Sequence, residues 1–247
     1  MTQSRAPIVW RTATVREIAP ETAHAKTIVL GVPGWPGHLA GQHVDVRLTA
    51  EDGYQAERSY SIASAPEAPD LSLTVELFAD GEVSPYLVEE LRPGDQFEVR
   101  GPVGGYFAWR VQDGGPLLLL AGGSGLVPLM AMLRHHAAQH SAVPARLLVS
   151  SRTFEDVLYR DELAALSGRS GVEVAFTLTR EQPEGWTGYS RRVDAEMLAA
   201  VGPSPAEEPK IFVCGPTAFV ESVADRLVEL GHRPGTIRAE RFGPTGE

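Results

Sequence analysis

Three short stretches concentrate residue types suited to an anionic, ring-bearing ligand. In AGGSGLVP, residues 121–128, Gly122, Gly123, Ser124 and Gly125 follow an apolar strand and open a helical pattern. Glycines there let the backbone approach an anion, and a helix N-terminus adds free N–H groups and partial positive charge. The spacing departs from the GxGxxG fingerprint, and a tight strand-to-helix turn that binds nothing fits it too. KIFVCGP, 210–216, repeats the arrangement, with Gly215-Pro216 ending a strand and Cys214 at the same edge. A lone cysteine closing an apolar strand is as a rule a small core residue; the adjoining glycine turn makes Cys214 a functional candidate. In ERSYSIAS, 57–64, strand alternation puts Arg58, Tyr60, Ile62 and Ser64 on one face and Ser59, Ser61 and Ala63 on the other. Arginine suits a phosphate, tyrosine can stack on a ring, and a hydroxyl can bond a heteroaromatic edge. An edge strand with a solvated arginine has the same composition.

Other chemistries are excluded by what is scarce. The chain has one cysteine, so it cannot close a disulfide within itself or hold an iron–sulfur cluster or structural zinc in the usual way. No metal site is expected. Of seven histidines only His135, His136 and His140 cluster; without a carboxylate nearby they read as a solvated helix face. The net charge of −10 argues against a nucleic-acid partner. LLLLA, 117–121, falls far short of a membrane span, and MTQSRAPIVW lacks the layout of a secretory signal. No membrane span and a cytoplasmic location are therefore expected.

The elements that must position these residues change character midway. VDVRL (44–48), LSLTVEL (71–77) and QFEVRG (96–101) alternate as half-buried strands among Gly/Pro turns, with one short helix from about Pro85 to Leu91. Such strands predict an antiparallel barrel or sandwich. After Gly114–Pro116, buried strands alternate with helices: PLLLLAG, a helix with Leu126, Leu129, Met130, Leu133 and Ala137 in one stripe, ARLLVSS, RDELAALS, VEVAFTLT, VDAEMLAAVG, KIFVCG and Thr217 to Leu230. This order predicts an α/β parallel sheet covered on both faces. The expected fold is therefore two-domain: an antiparallel β-barrel over 1–110, then an α/β parallel-sheet domain over 111–247.

The stretches together resemble the ferredoxin–NADP⁺ reductase superfamily over nearly the whole chain. RSYS (58–61) is similar to its RxYS flavin motif, GEVS (81–84) to its GxxS diphosphate motif, and GGSGLVP (122–128) to its nucleotide loop; TREQ (179–182), VCGP (213–216) and ERF (240–242) follow in family order. The resemblance implies an FAD-binding barrel followed by an NAD(P)-binding domain. It gives the cofactor-binding roles to Arg58, Ser59, Tyr60, Ser61, Val75, Leu77, Gly81, Glu82, Val83 and Ser84 for FAD. For the nucleotide it gives Gly122, Gly123, Ser124, Gly125, Arg152, Thr179, Arg180, Cys214, Gly215 and Pro216. Ser61, Cys214, Glu240 and Phe242 are the catalytic candidates, with Ser61 near flavin N5, Cys214 and Glu240 bordering the nicotinamide, and Phe242 covering the flavin. The GPTGE tail beyond Phe242 departs from relatives that end at their aromatic residue, and Glu76 stands where many relatives carry a basic residue.

The implied activity is hydride transfer from NADPH, with NADH possible, to FAD, and then electron transfer to a separate partner such as a ferredoxin or flavodoxin. That partner would carry an iron–sulfur, flavin or other centre. Thr179-Arg180 and Arg152 supply charge and hydroxyl for a 2′-phosphate, though both arginines also fit solvated loops. An NAD(P)H:flavin or quinone reductase and a non-catalytic nucleotide-binding module remain the alternatives.

Overall fold

The computed structural model describes residues 8–167 and 171–242; the MTQSRAP leader and the GPTGE tail lie outside the described residues. Two compact units form, 8–109 with 130–135, and 110–129 with 136–242. No helix among the described residues is long and apolar enough to cross a membrane.

The first unit is an antiparallel sheet, as the alternation predicts. Its strands are β1 (Trp10–Thr22), β2 (Ala25–Gly31), β3 (His43–Thr49), β4 (Gln55–Ser61), β5 (Leu71–Glu76) and β6 (Gln96–Val103), in the order β4-β3-β6-β1-β2-β5. A bridge between Ile62 and Leu73 joins the two ends of that order, and the Ala63 N–H donates to the Ser72 carbonyl at 2.8 Å. The inner face carries Ile28, Leu30, Val44, Val46, Leu73, Val75 and Val99, all fully buried. Leu87 and Val88 of the helical turn Tyr86–Glu90 pack into the same core.

The opposite face of β3, β4 and β6 carries a charged ladder. Arg47 donates twice to Glu98, both at 2.8 Å, and lies 3.8 Å from Glu57. Asp45 accepts from Ser59 at 2.7 Å and from Arg100 at 2.8 Å. The Trp10 ring lies under both guanidiniums, at 4.1 and 4.6 Å. Such partly exposed pairs contribute little singly, but opposite charges across neighbouring strands favour one register.

The second unit alternates strand and helix. It comprises β7 (Leu117–Gly122), α1 (Leu126–Ala138), β8 (Ala145–Ser151), α2 (Arg160–Ser167), β9 (Val172–Leu178), α3 (Ala195–Val201), β10 (Lys210–Pro216), α4 (Thr217–Glu229) and β11 (Ile237–Phe242). The strands are parallel in the order β11-β10-β7-β8-β9. Every residue of β7 is buried, which explains its unbroken apolar run: a strand covered on both faces has no solvent side to alternate toward. Asp194 caps α3 by accepting from the Met197 N–H at 2.8 Å. RAERF, 238–242, is held within β11 by pairing along β10 from Ile211↔Ile237 to Pro216↔Phe242.

The solvated histidine face is corrected. His135 and His136 are only 8% and 4% exposed; His140 alone is exposed, beyond the helix at positive φ. Val127, Ala131 and Met132 are buried along with the predicted stripe, so α1 is enclosed nearly all round. Its histidines are tolerated because their ring nitrogens find partners. His135 meets Glu67 at 2.7 Å and His136 meets the Val143 carbonyl at 2.7 Å. Glu67 lies too far away in sequence for local spacing to reveal it.

Closure of the barrel rests on a small number of fully buried side chains. Leu73→Ala is expected to destabilise the first unit by roughly 2–5 kcal/mol, read as a lowered urea midpoint at unchanged slope.

Candidate functional site

In the first unit, β4 presents its residues by pleat. Arg58 and Tyr60 stand opposite Val46 and Val44 of β3, on the core side, while Ser59 and Ser61 stand opposite Asp45 and His43. Tyr60 packs against the barrel core, and burial pushes its phenol up to about 12 in spite of Arg58 nearby. It therefore stays neutral and offers a ring and a hydroxyl. Ser59 is committed to Asp45. Burial opposes ionisation of Asp45, but the bonds from Ser59 and Arg100 outweigh it and hold its carboxyl below the usual range. Ser61 ends the strand half-buried, and its hydroxyl is bonded to no described residue.

The Gly81–Ser84 segment lies just before the helical turn. Val83 and Val75 are fully buried and Leu77 packs on the same core, so Val75 and Val83 anchor the segment and can offer a ligand only main chain. The Ser84 hydroxyl accepts from the Phe78 N–H at 3.0 Å and lies 3.3 Å from the Phe78 carbonyl, closing the loop on itself. Among the described residues the N–H groups of Glu82, Val83 and Ser84 have no acceptor. Unpaired successive N–H groups make a concavity for an anion, and this one fits the diphosphate of the FAD implied by the sequence. Arg58 belongs to the same neighbourhood: its Nη2 donates to Glu82 at 2.6 Å and its Nη1 to the Glu57 carbonyl at 2.7 Å. Glu82 also accepts from the Tyr54 hydroxyl at 2.7 Å. The Tyr54 and Arg58 bonds hold the Glu82 carboxyl below its ordinary range.

In the second unit the two glycine turns meet. β7 and β10 are parallel neighbours, with Ala121 opposite Cys214, so both turns emerge at adjacent carboxyl ends, where open α/β sheets bind ligands. A Cβ on Gly125 would lie 2.1 Å from the Cys214 carbonyl oxygen, so only glycine permits this backbone approach. Gly123 has φ +55° and is exposed. Ser124 is half-buried between them. A Cβ on Gly122 or Gly215 would strike the Phe219 ring, at 2.8 and 2.7 Å. Phe219 reads in sequence as one residue of the α4 stripe; in the structure it backs both turns. Its site role was invisible because helical spacing already accounts for it. Gly122, Gly125 and Gly215 have no room for a Cβ and Gly123 faces open space, so a nucleotide's phosphates could approach main chain here.

Cys214 and Glu240 are register partners across β10 and β11. Burial, and then the nearby Glu240 carboxylate, push the Cys214 thiol well up; it is a neutral thiol, poorly suited to nucleophilic attack. Burial alone pushes Glu240 up to about 7, so its carboxyl can hold or release a proton near neutrality. Phe242, half-buried, closes β11 opposite the exposed Pro216.

Arg152, Thr179 and Arg180 come together through main chain. The Thr179 N–H and hydroxyl donate to the Ser151 carbonyl at 2.9 and 3.2 Å, and the Arg180 N–H donates to the Arg152 carbonyl at 2.9 Å. Both guanidiniums are exposed and have no ion pair among the described residues. Phe154, Phe176 and Trp186 cluster at centroid distances of 5.7–6.4 Å and tie the two loops to β9. No group of three or more metal-ligating side chains is found among the described residues.

Comparison with known proteins assigns a domain family to each half of the chain. The oxidoreductase FAD-binding domain family model matches residues 18–108, and the oxidoreductase NAD-binding domain model matches residues 119–225. The chain is 34% identical over 237 residues to ferredoxin–NADP reductase B of Sorangium cellulosum, covering 92% of this chain and 91% of that protein. It is 32% identical over 208 residues to the glycine betaine monooxygenase reductase subunit of Pseudomonas aeruginosa, 83% of this chain. This chain spans only 56% of that relative's length. The flavohaem-like FAD/NAD-binding domain of nitric oxide dioxygenase from Vibrio cholerae superposes with a TM-score of 0.84 at 25% identity, covering 95% and 99% of the two chains.

Two outcomes are expected from the second unit. Gly125→Ala drives a methyl into the Cys214 carbonyl, and should cost roughly 1–3 kcal/mol of stability and weaken nucleotide binding at least about tenfold in a direct titration. Glu240 has a raised folded pKa, so its stabilising contribution is complete below its ordinary value and is lost as pH rises through about 7. Unfolding measured at pH 5 and pH 8 should therefore show Glu240→Gln gaining on the native protein at the higher pH, by up to about 3 kcal/mol; a difference independent of pH would refute the assignment.

Proposed function

Because the chain belongs to the ferredoxin–NADP⁺ reductase superfamily, and is thus an FAD- and NAD(P)-dependent oxidoreductase, we propose that it oxidises NADPH through FAD and passes the electrons to a separate redox protein. The observation that carries this reading is the cradle of Gly122–Gly125 and Gly215-Pro216, with Cys214 and Glu240 at its border. Bound FAD supplies the change from hydride to single-electron transfer. The protein's part is to bind and orient. Arg58 and the N–H groups of Glu82, Val83 and Ser84 hold the FAD diphosphate, Tyr60 packs on the ring system, and the Ser61 hydroxyl serves the N5 edge. The glycine turns hold the nucleotide so that positioning supplies much of the rate. Glu240 keeps a proton within reach of the nicotinamide, and Phe242 limits access to the reacting ring.

NADPH is the preferred donor in this reading. A 2′-phosphate needs uncommitted positive charge, and Arg152 and Arg180 present it side by side on loops that their main chains fasten together. The acceptor is a protein with an iron–sulfur, flavin or other one-electron centre, such as a ferredoxin or flavodoxin. The glycine betaine monooxygenase relative is itself named as a reductase subunit, which supports a separate acceptor.

The test begins with an anaerobic visible spectrum, in which NADPH should bleach the flavin band of the purified protein. Turnover with ferredoxin and flavodoxin should exceed turnover with free flavin or quinone, and the reverse order would point to a small-acceptor reductase. Arg180→Ala should lower kcat/KM for NADPH by roughly tenfold or more and leave NADH within about twofold. Equal losses for both nucleotides would overturn the 2′-phosphate assignment.

A further inference from the structure

We propose that Glu82 is an internal competitor for the diphosphate of FAD: its carboxylate holds Arg58 and Tyr54 until a diphosphate takes Arg58 from it, and it thereby sets how readily the flavin exchanges. The inference rests on the assignment of Arg58 to that diphosphate.

Both oxygens of Glu82 are engaged. Oε2 accepts from Arg58 Nη2 at 2.6 Å and Oε1 accepts from the Tyr54 hydroxyl at 2.7 Å. The guanidinium is steadied by a second bond from Nη1 to the Glu57 carbonyl at 2.7 Å. A guanidinium recognises carboxylate and phosphate through the same planar fork of donors, so the two anions compete for the same N–H groups. Glu82 also belongs to the segment whose N–H groups lack acceptors, so a negative side chain already stands where an anionic ligand is to be received.

The pair is built to exchange rather than to lock. The Arg58 and Glu82 side chains are 53% and 48% exposed, and ion pairs in water are held weakly. The fold does not need it for register. The alignment of β3, β4 and β6 is supported on the other face by Ser59–Asp45, Asp45–Arg100, Arg47–Glu98 and the Trp10 ring. Val83, fully buried, anchors the segment independently of its neighbour's charge. A half-exposed carboxylate with two bonded partners and no part in the strand register is best explained by the ligand it must yield to.

The test is a double-mutant cycle on the full chain, read by the recovery of FAD fluorescence on dilution, which gives both affinity and release rate without catalysis. Glu82→Gln should bind FAD roughly three- to tenfold more tightly than the native protein and release it more slowly. In an Arg58→Ala background the same change should alter affinity by less than about twofold. Unchanged or weaker binding in Glu82→Gln would overturn the proposal. Equal tightening in both backgrounds would overturn it too, since that is simple charge repulsion without competition for Arg58. If Arg58→Ala alone leaves FAD affinity intact, the assignment of Arg58 itself fails, an outcome distinct from the other two.

Discussion

Everything in the first unit depends on the register of β4 against β3. The side-chain period of a strand is two, so a slip of one residue would send each side chain to the opposite face. In the observed pairing Arg58 and Tyr60 lie opposite Val46 and Val44, and Glu57 and Ser59 lie opposite Arg47 and Asp45. A slipped β4 would put a guanidinium against the charged ladder and a serine against the buried valines. Apolar burial on one face and charge pairing on the other therefore select the same alignment. The residues of RSYS inherit their positions from it.

The second unit is governed by a closer approach. Gly125 lies so near the Cys214 carbonyl that no side chain fits between them, and Phe219 fills the space behind both glycine turns. Parallel pairing of β7 with β10 brings the turns level, and pairing of β10 with β11 then sets Glu240 beside Cys214. The chemistry at this edge is tuned by dehydration. Burial raises the Cys214 thiol and the Glu240 carboxyl together, which favours neutral hydrogen-bonding groups over fixed charges at this edge.

Charge is distributed differently over the two units. Around β4, nearly every charged side chain already has a protein partner: Asp45 with Arg100, Arg47 with Glu98, Arg58 with Glu82. Around the loops after β8 and β9, Arg152 and Arg180 have none among the described residues. The guanidinium at the first place is already engaged by a carboxylate, whereas those at the second have no ion pair among the described residues.

The two-domain order, the strand and helix types, the glycine turns and the RSYS strand were legible in the sequence because each is written in local periodicity or in residues within a few positions of one another. The apolar run of β7 belongs to the same local record. The sequence alone also excluded a disulfide within the chain, by a count of one cysteine. What it could not determine were the contacts between residues remote in the chain. Arg58 pairing with Glu82, His135 meeting Glu67, Phe219 backing Gly122 and Gly215, and Glu240 dehydrated beside Cys214 are all of this kind. None has a characteristic spacing, because each depends on strand order and on what packs over it. The histidines show the limit most clearly. Helical geometry placed them on a face, but only the enclosure of α1 decided that the face would be dry.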